Sequence, residues 1–137
     1  MFWKKKHQPA TRILLVEDEP AVLASLKDRL EMNDFIVLTA SNGGEGLSTA
    51  LGERPDIIIT DLMMPIMGGL EMIEALRKSE TGKCIPIMIL SARRDQKDME
   101  LAAALGVVDY LIKPFEMSEL LGKINDVIEN CYSSQGL

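Results

Sequence analysis

The sequence predicts an α/β fold: a doubly wound, five-stranded parallel sheet in the order 2-1-3-4-5, with helices on both faces. Three observations lead there. Five short runs of β-type residues alternate strictly with helical patterns, the signature of repeated βαβ units. Several of those runs, such as Asp56–Thr60 (DIIIT), are apolar at consecutive positions, as a strand covered on both faces requires. The 137 residues are 47% hydrophobic and 26% charged, which suits one domain with a core of its own.

The elements follow in order. Arg12–Val16 (RILLV) is the first strand and runs into Glu17-Asp18-Glu19. Pro20 fits the first turn of a helix, where a missing N–H is no loss, and Leu23, Leu26 and Leu30 mark its inner face. Phe35–Thr39 is the second strand. Gly43–Glu53 is a weaker helix with Leu47, Ala50 and Leu51 inward and glycines working against it. Asp56–Thr60 is the third strand, followed by a loop holding Pro65, Gly68 and Gly69 and by helical spacing at Leu70, Ile73 and Leu76. Pro86–Leu90 is the fourth strand. Asp95–Leu105 is a helix with Met99, the alanines and Leu105 inward, capped by Gly106. Val107–Ile112 is the fifth strand, and the spacing of Met117, Leu120, Leu121, Ile124, Val127 and Ile128 gives the clearest amphipathic helix. The expected organisation is a basic N-terminal tail at 1–11, one domain at 12–130 and a polar tail at 131–137.

Composition removes several function classes. Lys4, Lys5, Lys6 and Arg12 precede residue 13, where there is no acid, so the remainder holds 11 basic against 21 acidic residues, a net of −10. So acidic a body is a poor direct binder of nucleic acid. A single histidine, His7, excludes His-cluster metal chemistry and a Ser-His-Asp triad, and two cysteines make neither a disulfide scaffold nor a four-ligand zinc site. The basic start has no apolar stretch after it, so it does not read as a signal peptide, and no run is long enough to cross a bilayer. Free thiols point to a reducing cytoplasm.

In a sheet of this order, ligands bind at the carboxyl edge where the strand order reverses. Glu17 and Asp18 follow the first strand, Asp61 the third, Ser91 the fourth and Lys113 the fifth. Singly, each has an ordinary explanation: acids near a helix N-terminus, a turn aspartate, a serine N-cap, a surface lysine. Together they bring three carboxylates, a hydroxyl and an ammonium to neighbouring strand ends. Crowded carboxylates raise one another's pKa, and a hard cation such as Mg²⁺ relieves the repulsion. Asp61 then suits the role of nucleophile toward a phosphoryl donor, with Lys113 and Ser91 neutralising and hydrogen-bonding phosphoryl oxygens.

Four segments carry a family resemblance: Leu14-Leu15-Val16-Glu17-Asp18-Glu19, Asp61 through Gly69 (DLMMPIMGG), Leu90-Ser91-Ala92, and Asp109-Tyr110-Leu111-Ile112-Lys113-Pro114-Phe115. In this order and spacing the chain resembles the receiver domain of two-component response regulators, over about residues 11–130, and the fold implied is flavodoxin-like. The resemblance implies that Asp61 is the phosphoacceptor. It implies that Glu17 and Asp18 organise Mg²⁺, Asp18 as the direct ligand and Glu17 through water, with Asp61 and the Met63 carbonyl completing the protein's ligands. Ser91 and Tyr110 would be the switch pair, Lys113 the ion-pair partner of the phosphoryl group, and Lys113-Pro114 a cis peptide. The ordinary alternative for Tyr110 is a half-buried strand tyrosine. Gly68 stands where many members have Asp, and Val107-Val108 replace a commoner small-acidic pair; neither removes a group from the site.

The function implied is a signalling phosphoacceptor that assists its own phosphorylation and dephosphorylation, not an enzyme turning over a substrate, with no organic cofactor. Its partners would be a sensor histidine kinase or histidine phosphotransfer protein, an output protein, and a second copy through the 93–130 face, with no direct nucleic-acid contact. The alternative is a degenerate receiver acting as a phosphorylation-independent interaction module, disfavoured because Asp18, Asp61, Ser91 and Lys113 are all present. A flavodoxin-type FMN carrier would need a hydroxyl- and glycine-rich loop where Glu17-Asp18-Glu19 stands. An aspartate-nucleophile phosphatase would need an Asp where Glu17 stands.

Overall fold

In the computed structural model, residues 10–134 are described. The order is β1 (Arg12–Val16), α1 (Pro20–Glu31), β2 (Ile36–Ala40), α2 (Gly43–Glu53), β3 (Ile57–Thr60), α3 (Gly69–Arg77), β4 (Ile87–Ser91), α4 (Gln96–Ala104), β5 (Asp109–Ile112) and α5 (Met117–Ser134). The strands form one sheet in the order β2-β1-β3-β4-β5, all pairs parallel, as expected.

Because side chains alternate across a strand, one apolar run feeds two cores. Leu14, Val16, Ile58, Ile87 and Ile89 face α2, α3 and α4, where Ala50, Met72, Ile73, Leu76 and Ala102 meet them. Ile13, Leu15, Ile57, Ile59, Met88 and Leu90 face α1 and α5, against Leu26, Leu30, Leu120 and Ile124. Both faces of β1, β3 and β4 are thereby dry, which is why their sequences show no polar alternation.

Local chemistry sets the helix starts. Asn42 caps α2 by accepting from the Glu45 N–H at 2.9 Å, and the Glu45 carboxylate returns to the Ser41 N–H at 2.9 Å. Asp95 caps α4, its Oδ1 accepting from the N–H groups of Lys97 and Asp98 at 2.9 and 3.2 Å. Gly106 ends the α4 region at φ 75, where a side chain would be strained.

Some expectations need correction. Leu51 is 36% and Met99 37% exposed, and Ala103 and Ala104 also face solvent. Helix α2 buries Gly43, Gly46 and Ala50 instead. Gly46 lies so close to β1 and α3 that an added Cβ would meet Met72 Sδ at 2.6 Å, and this close approach turns Leu51 outward. Helix α4 buries Ala102 alone, so its apolar residues do not define one inner stripe. The last helix runs to Ser134, into the segment expected to be a polar tail. Residues 1–9 of the expected basic tail, and 135–137, lie outside the described residues.

Candidate functional site at the carboxyl edge of the sheet

Parallel register brings the candidate site residues together. Val16 pairs with both Ala40 and Thr60, and Ser91 pairs with Ile112. The ladder continues one residue past each strand: Glu17 N–H donates to the Ala40 carbonyl at 3.0 Å, Asp61 N–H to Val16 at 3.1 Å and Lys113 N–H to Ser91 at 2.9 Å. The backbones that carry Glu17, Asp61 and Lys113 are thus fixed by their neighbours before any side chain is considered.

Those three side chains meet. Lys113 Nζ lies 3.0 Å from Asp61 Oδ2 and 3.3 Å from Glu17 Oε1. Glu17 is 3% exposed, Asp61 14% and Lys113 24%. The other Glu17 oxygen accepts from the Glu19 N–H at 3.1 Å, and Asp61 Oδ1 accepts from the Leu62 N–H at 2.6 Å. Burial pushes the Glu17 carboxyl above the usual glutamate range, against the opposing pull of the Glu19 N–H and the Lys113 charge. Burial alone would depress the Lys113 ammonium; its hydrogen bond and charge contact with Asp61, with Glu17 adding to them, outweigh that and hold it above the usual lysine value.

Asp18 completes an acidic triad. Glu17, Asp18 and Asp61 each offer an oxygen, and these oxygens lie within 4.8 Å of one another. Hard oxygen donors grouped around one point suit a small divalent cation better than a soft metal, so the donor set fits a metal of the Mg²⁺ class. Met63 sits on the loop after Asp61, with its side chain exposed at the rim. Glu17, expected to reach the metal through water, is the most buried acid of the three and also contacts Lys113.

Ser91 is buried, and its Oγ accepts from the Arg93 N–H at 3.1 Å. It does not cap α4; Asp95 does. Tyr110 is half-buried against the α2–α4 core, and its hydroxyl donates to the Arg93 carbonyl at 3.1 Å. Burial raises its phenol pKa. The peptide bond before Pro114 is cis, as expected. The sequence reading missed Arg93, the residue to which both Ser91 and Tyr110 are bonded. The signal was available in an arginine placed two residues before Asp95 and five before Asp98.

The loop from Asp61 into α3 closes through Gly69, whose N–H donates to the Leu62 carbonyl at 2.9 Å. A Cβ on Gly69 would collide with the Asp61 carbonyl oxygen. Gly69→Ala should therefore shift the backbone carrying Asp61 and destabilise the fold by about 1–3 kcal/mol, read as a lower urea midpoint. An unchanged midpoint would show that the loop relaxes freely.

The family model for the response regulator receiver domain matches residues 13–125. The chain belongs to that family. This receiver domain is 38% identical over 117 residues to the transcriptional regulatory protein PrrA of Mycobacterium tuberculosis, covering 85% of this chain and 49% of the relative. It is 35% identical to the alkaline phosphatase synthesis transcriptional regulatory protein PhoP of Bacillus subtilis, covering 85% of this chain and 48% of the relative. The receiver domain thus spans about half the length of these curated relatives. Among solved structures it superposes on a CheY-like receiver domain protein of Methanospirillum hungatei with a TM-score of 0.86 at 27% identity, covering 92% of this chain and 99% of the other. The chemotaxis protein CheY4 of Vibrio cholerae matches with a TM-score of 0.81 at 30% identity, covering 87% and 99% respectively. Both curated relatives named are transcriptional regulatory proteins. Among the described residues, no helix is long and apolar enough to cross a membrane.

Proposed function

We propose that this receiver domain accepts a phosphoryl group on Asp61, with Mg²⁺ held by Asp18, Asp61, the Met63 carbonyl and Glu17, and that the event alters a partner-binding surface. The observation that carries this reading is the meeting of Lys113 Nζ with Asp61 Oδ2 and Glu17 Oε1 inside the acidic triad. An aspartate held between an ammonium and two further acids is placed for charge-compensated attack. A carboxylate oxygen of Asp61 attacks the donor phosphorus, the bond from phosphorus to the donor nitrogen or oxygen breaks, and the donor leaves with the electron pair. Lys113 stays within reach of the new phosphoryl oxygens as its contact with the carboxylate is released. The Asp61 Oδ1 contact with the Leu62 N–H holds the carboxylate in orientation. The metal supplies positive charge against the acidic triad and the transferred oxygens.

The phosphodonor is a sensor histidine kinase or a phosphotransfer protein acting in the cytoplasm. The output side is the face formed by α4, β5 and α5, where Ser91 and Tyr110 act as the switch pair and a second copy or an output protein docks. The test is direct. A small acyl phosphate with Mg²⁺ should add one phosphoryl group to the intact protein, measured by mass, and a chelator should suppress the addition. No uptake by a folded protein would overturn the reading and leave a phosphorylation-independent interaction module.

A further inference from the structure

Ser91 and Tyr110 both bond to Arg93, one to its N–H at 3.1 Å and the other to its carbonyl at 3.1 Å. The Arg93 side chain is held elsewhere. Its Nη2 lies 3.1 Å from Asp95 Oδ2 and its Nε 3.4 Å from Asp98 Oδ2, both at the start of α4. Its Nη1 lies 3.4 Å from Met63 Sδ, on the loop after Asp61. Asp95 divides its oxygens, Oδ1 capping α4 and Oδ2 holding Arg93. One residue therefore joins four parts of the domain: the serine beside the acceptor, the half-buried tyrosine of β5, the first turn of α4 and the acceptor loop.

We propose that the Arg93–Asp95–Asp98 clasp is a positioning element that sets the resting balance of the switch. The inference rests on the phosphoacceptor reading above. For Ser91 to follow a phosphoryl group, the peptide of Arg93 must move with it or release it. Tyr110 is bonded to the same residue and must respond. The ion pairs to Asp95 and Asp98 hold the Arg93 peptide in the arrangement observed and so oppose that movement. A contact present in one state and weakened in the other biases the equilibrium by its own differential free energy. The pairs are partly exposed, so the bias is modest. Asp98 is the residue to change, because Asp95 also caps the helix and its loss would confuse two effects.

Asp98→Asn keeps the side-chain shape and the Asp95 cap while removing one charge of the clasp. Beryllium fluoride with Mg²⁺ serves as the phosphoryl-mimicking probe, titrated by NMR. The expected result is probe binding about two- to fivefold tighter than wild type. Without the probe, the Ser91 and Tyr110 resonances should already be shifted along the line joining free and probe-bound wild type. Arg93→Gln, which removes the pairs to both Asp95 and Asp98, should shift the same resonances in the same direction and at least as far, the double variant should not exceed Arg93→Gln, and Asp98→Glu should restore wild-type positions. If wild type binds the probe but Asp98→Asn binds it equally and moves no Tyr110 resonance along that line, the clasp is only a surface ion pair and the proposal falls. If wild type fails to bind the probe at Asp61, the phosphoacceptor reading itself falls, and the clasp with it.

Discussion

Asp61→Asn is expected to take up no phosphoryl group under conditions that label the wild type, a loss on the order of a thousandfold or more. The substitution replaces a charged nucleophile with an amide of the same shape. The amide oxygen of the variant side chain keeps the acceptor geometry toward the Leu62 N–H, so the loop is not expected to move. Lys113 loses its partner at 3.0 Å but retains Glu17 at 3.3 Å. One negative charge leaves an acidic triad, so the metal-free fold should be no less stable than wild type. Intact mass after incubation with an acyl phosphate and Mg²⁺ checks the loss, and urea unfolding checks the fold. Peptide mapping of labelled wild type should place a base-labile phosphoryl group on Asp61. A label on Ser91, or undiminished labelling of the variant, would overturn the assignment.

Much of this arrangement was legible in the sequence because parallel sheets write themselves plainly. A strand dry on both faces needs consecutive apolar residues, and RILLV, DIIIT and PIMIL supply them. Strand ends were less legible. β2, β3 and β4 each begin one residue later than the apolar pattern suggests, at Ile36, Ile57 and Ile87, and β5 begins only at Asp109. Ladder pairing decides those ends, and pairing depends on the neighbour. The helical faces failed for a different reason. Met99 and Leu51 are apolar, but α4 and α2 approach the sheet through small residues, Ala102 in one and Gly46 and Ala50 in the other. Periodicity reports which residues are apolar; close packing rewards those that are small.

The gathering of Glu17, Asp18, Asp61, Ser91 and Lys113 followed from strand order alone. What strand order does not contain is how the side chains pair. Lys113 engages Glu17 as well as Asp61, and Ser91 and Tyr110 share Arg93. The Lys113 and Tyr110 contacts cross between elements far apart in the chain, and the Ser91–Arg93 contact, only two residues long, depends on loop conformation rather than on sequence spacing.

Lys113→Met is expected to have opposite effects on metal binding and on phosphoryl uptake. The methionine keeps an apolar stem and removes the ammonium that bridges Asp61 and Glu17. Two poorly solvated carboxylates then face Asp18 with no nearby cation of their own. Breaking a fully buried pair by removing one partner costs about 3–5 kcal/mol; Lys113 is 24% exposed, so about 1–3 kcal/mol is expected at neutral pH without metal. The pH dependence has a definite sign. Glu17 already binds its proton more readily when folded, so its contribution to stability falls as pH rises from about 4.3 through its raised native value. Without Lys113 that value rises further, so the gap between variant and wild type should be small near pH 4 and widen toward neutrality. The wild-type contribution of Lys113, whose native pKa is raised, is present below about 10.4 and lost as pH climbs past its native value; the variant should lack that alkaline loss. Mg²⁺ should bind the variant more tightly, because no ammonium competes for the triad, and should recover part of the lost stability. Phosphoryl uptake should nevertheless slow by about tenfold to a hundredfold, because one charge that would meet the transferred oxygens is gone. Urea unfolding across pH, Mg²⁺ titration by calorimetry and acyl-phosphate labelling read the three effects separately. A stability gap independent of pH would mean that Lys113 contributes through packing of its stem. Weaker Mg²⁺ binding in the variant would mean that the ammonium organises the acidic triad rather than competing for it.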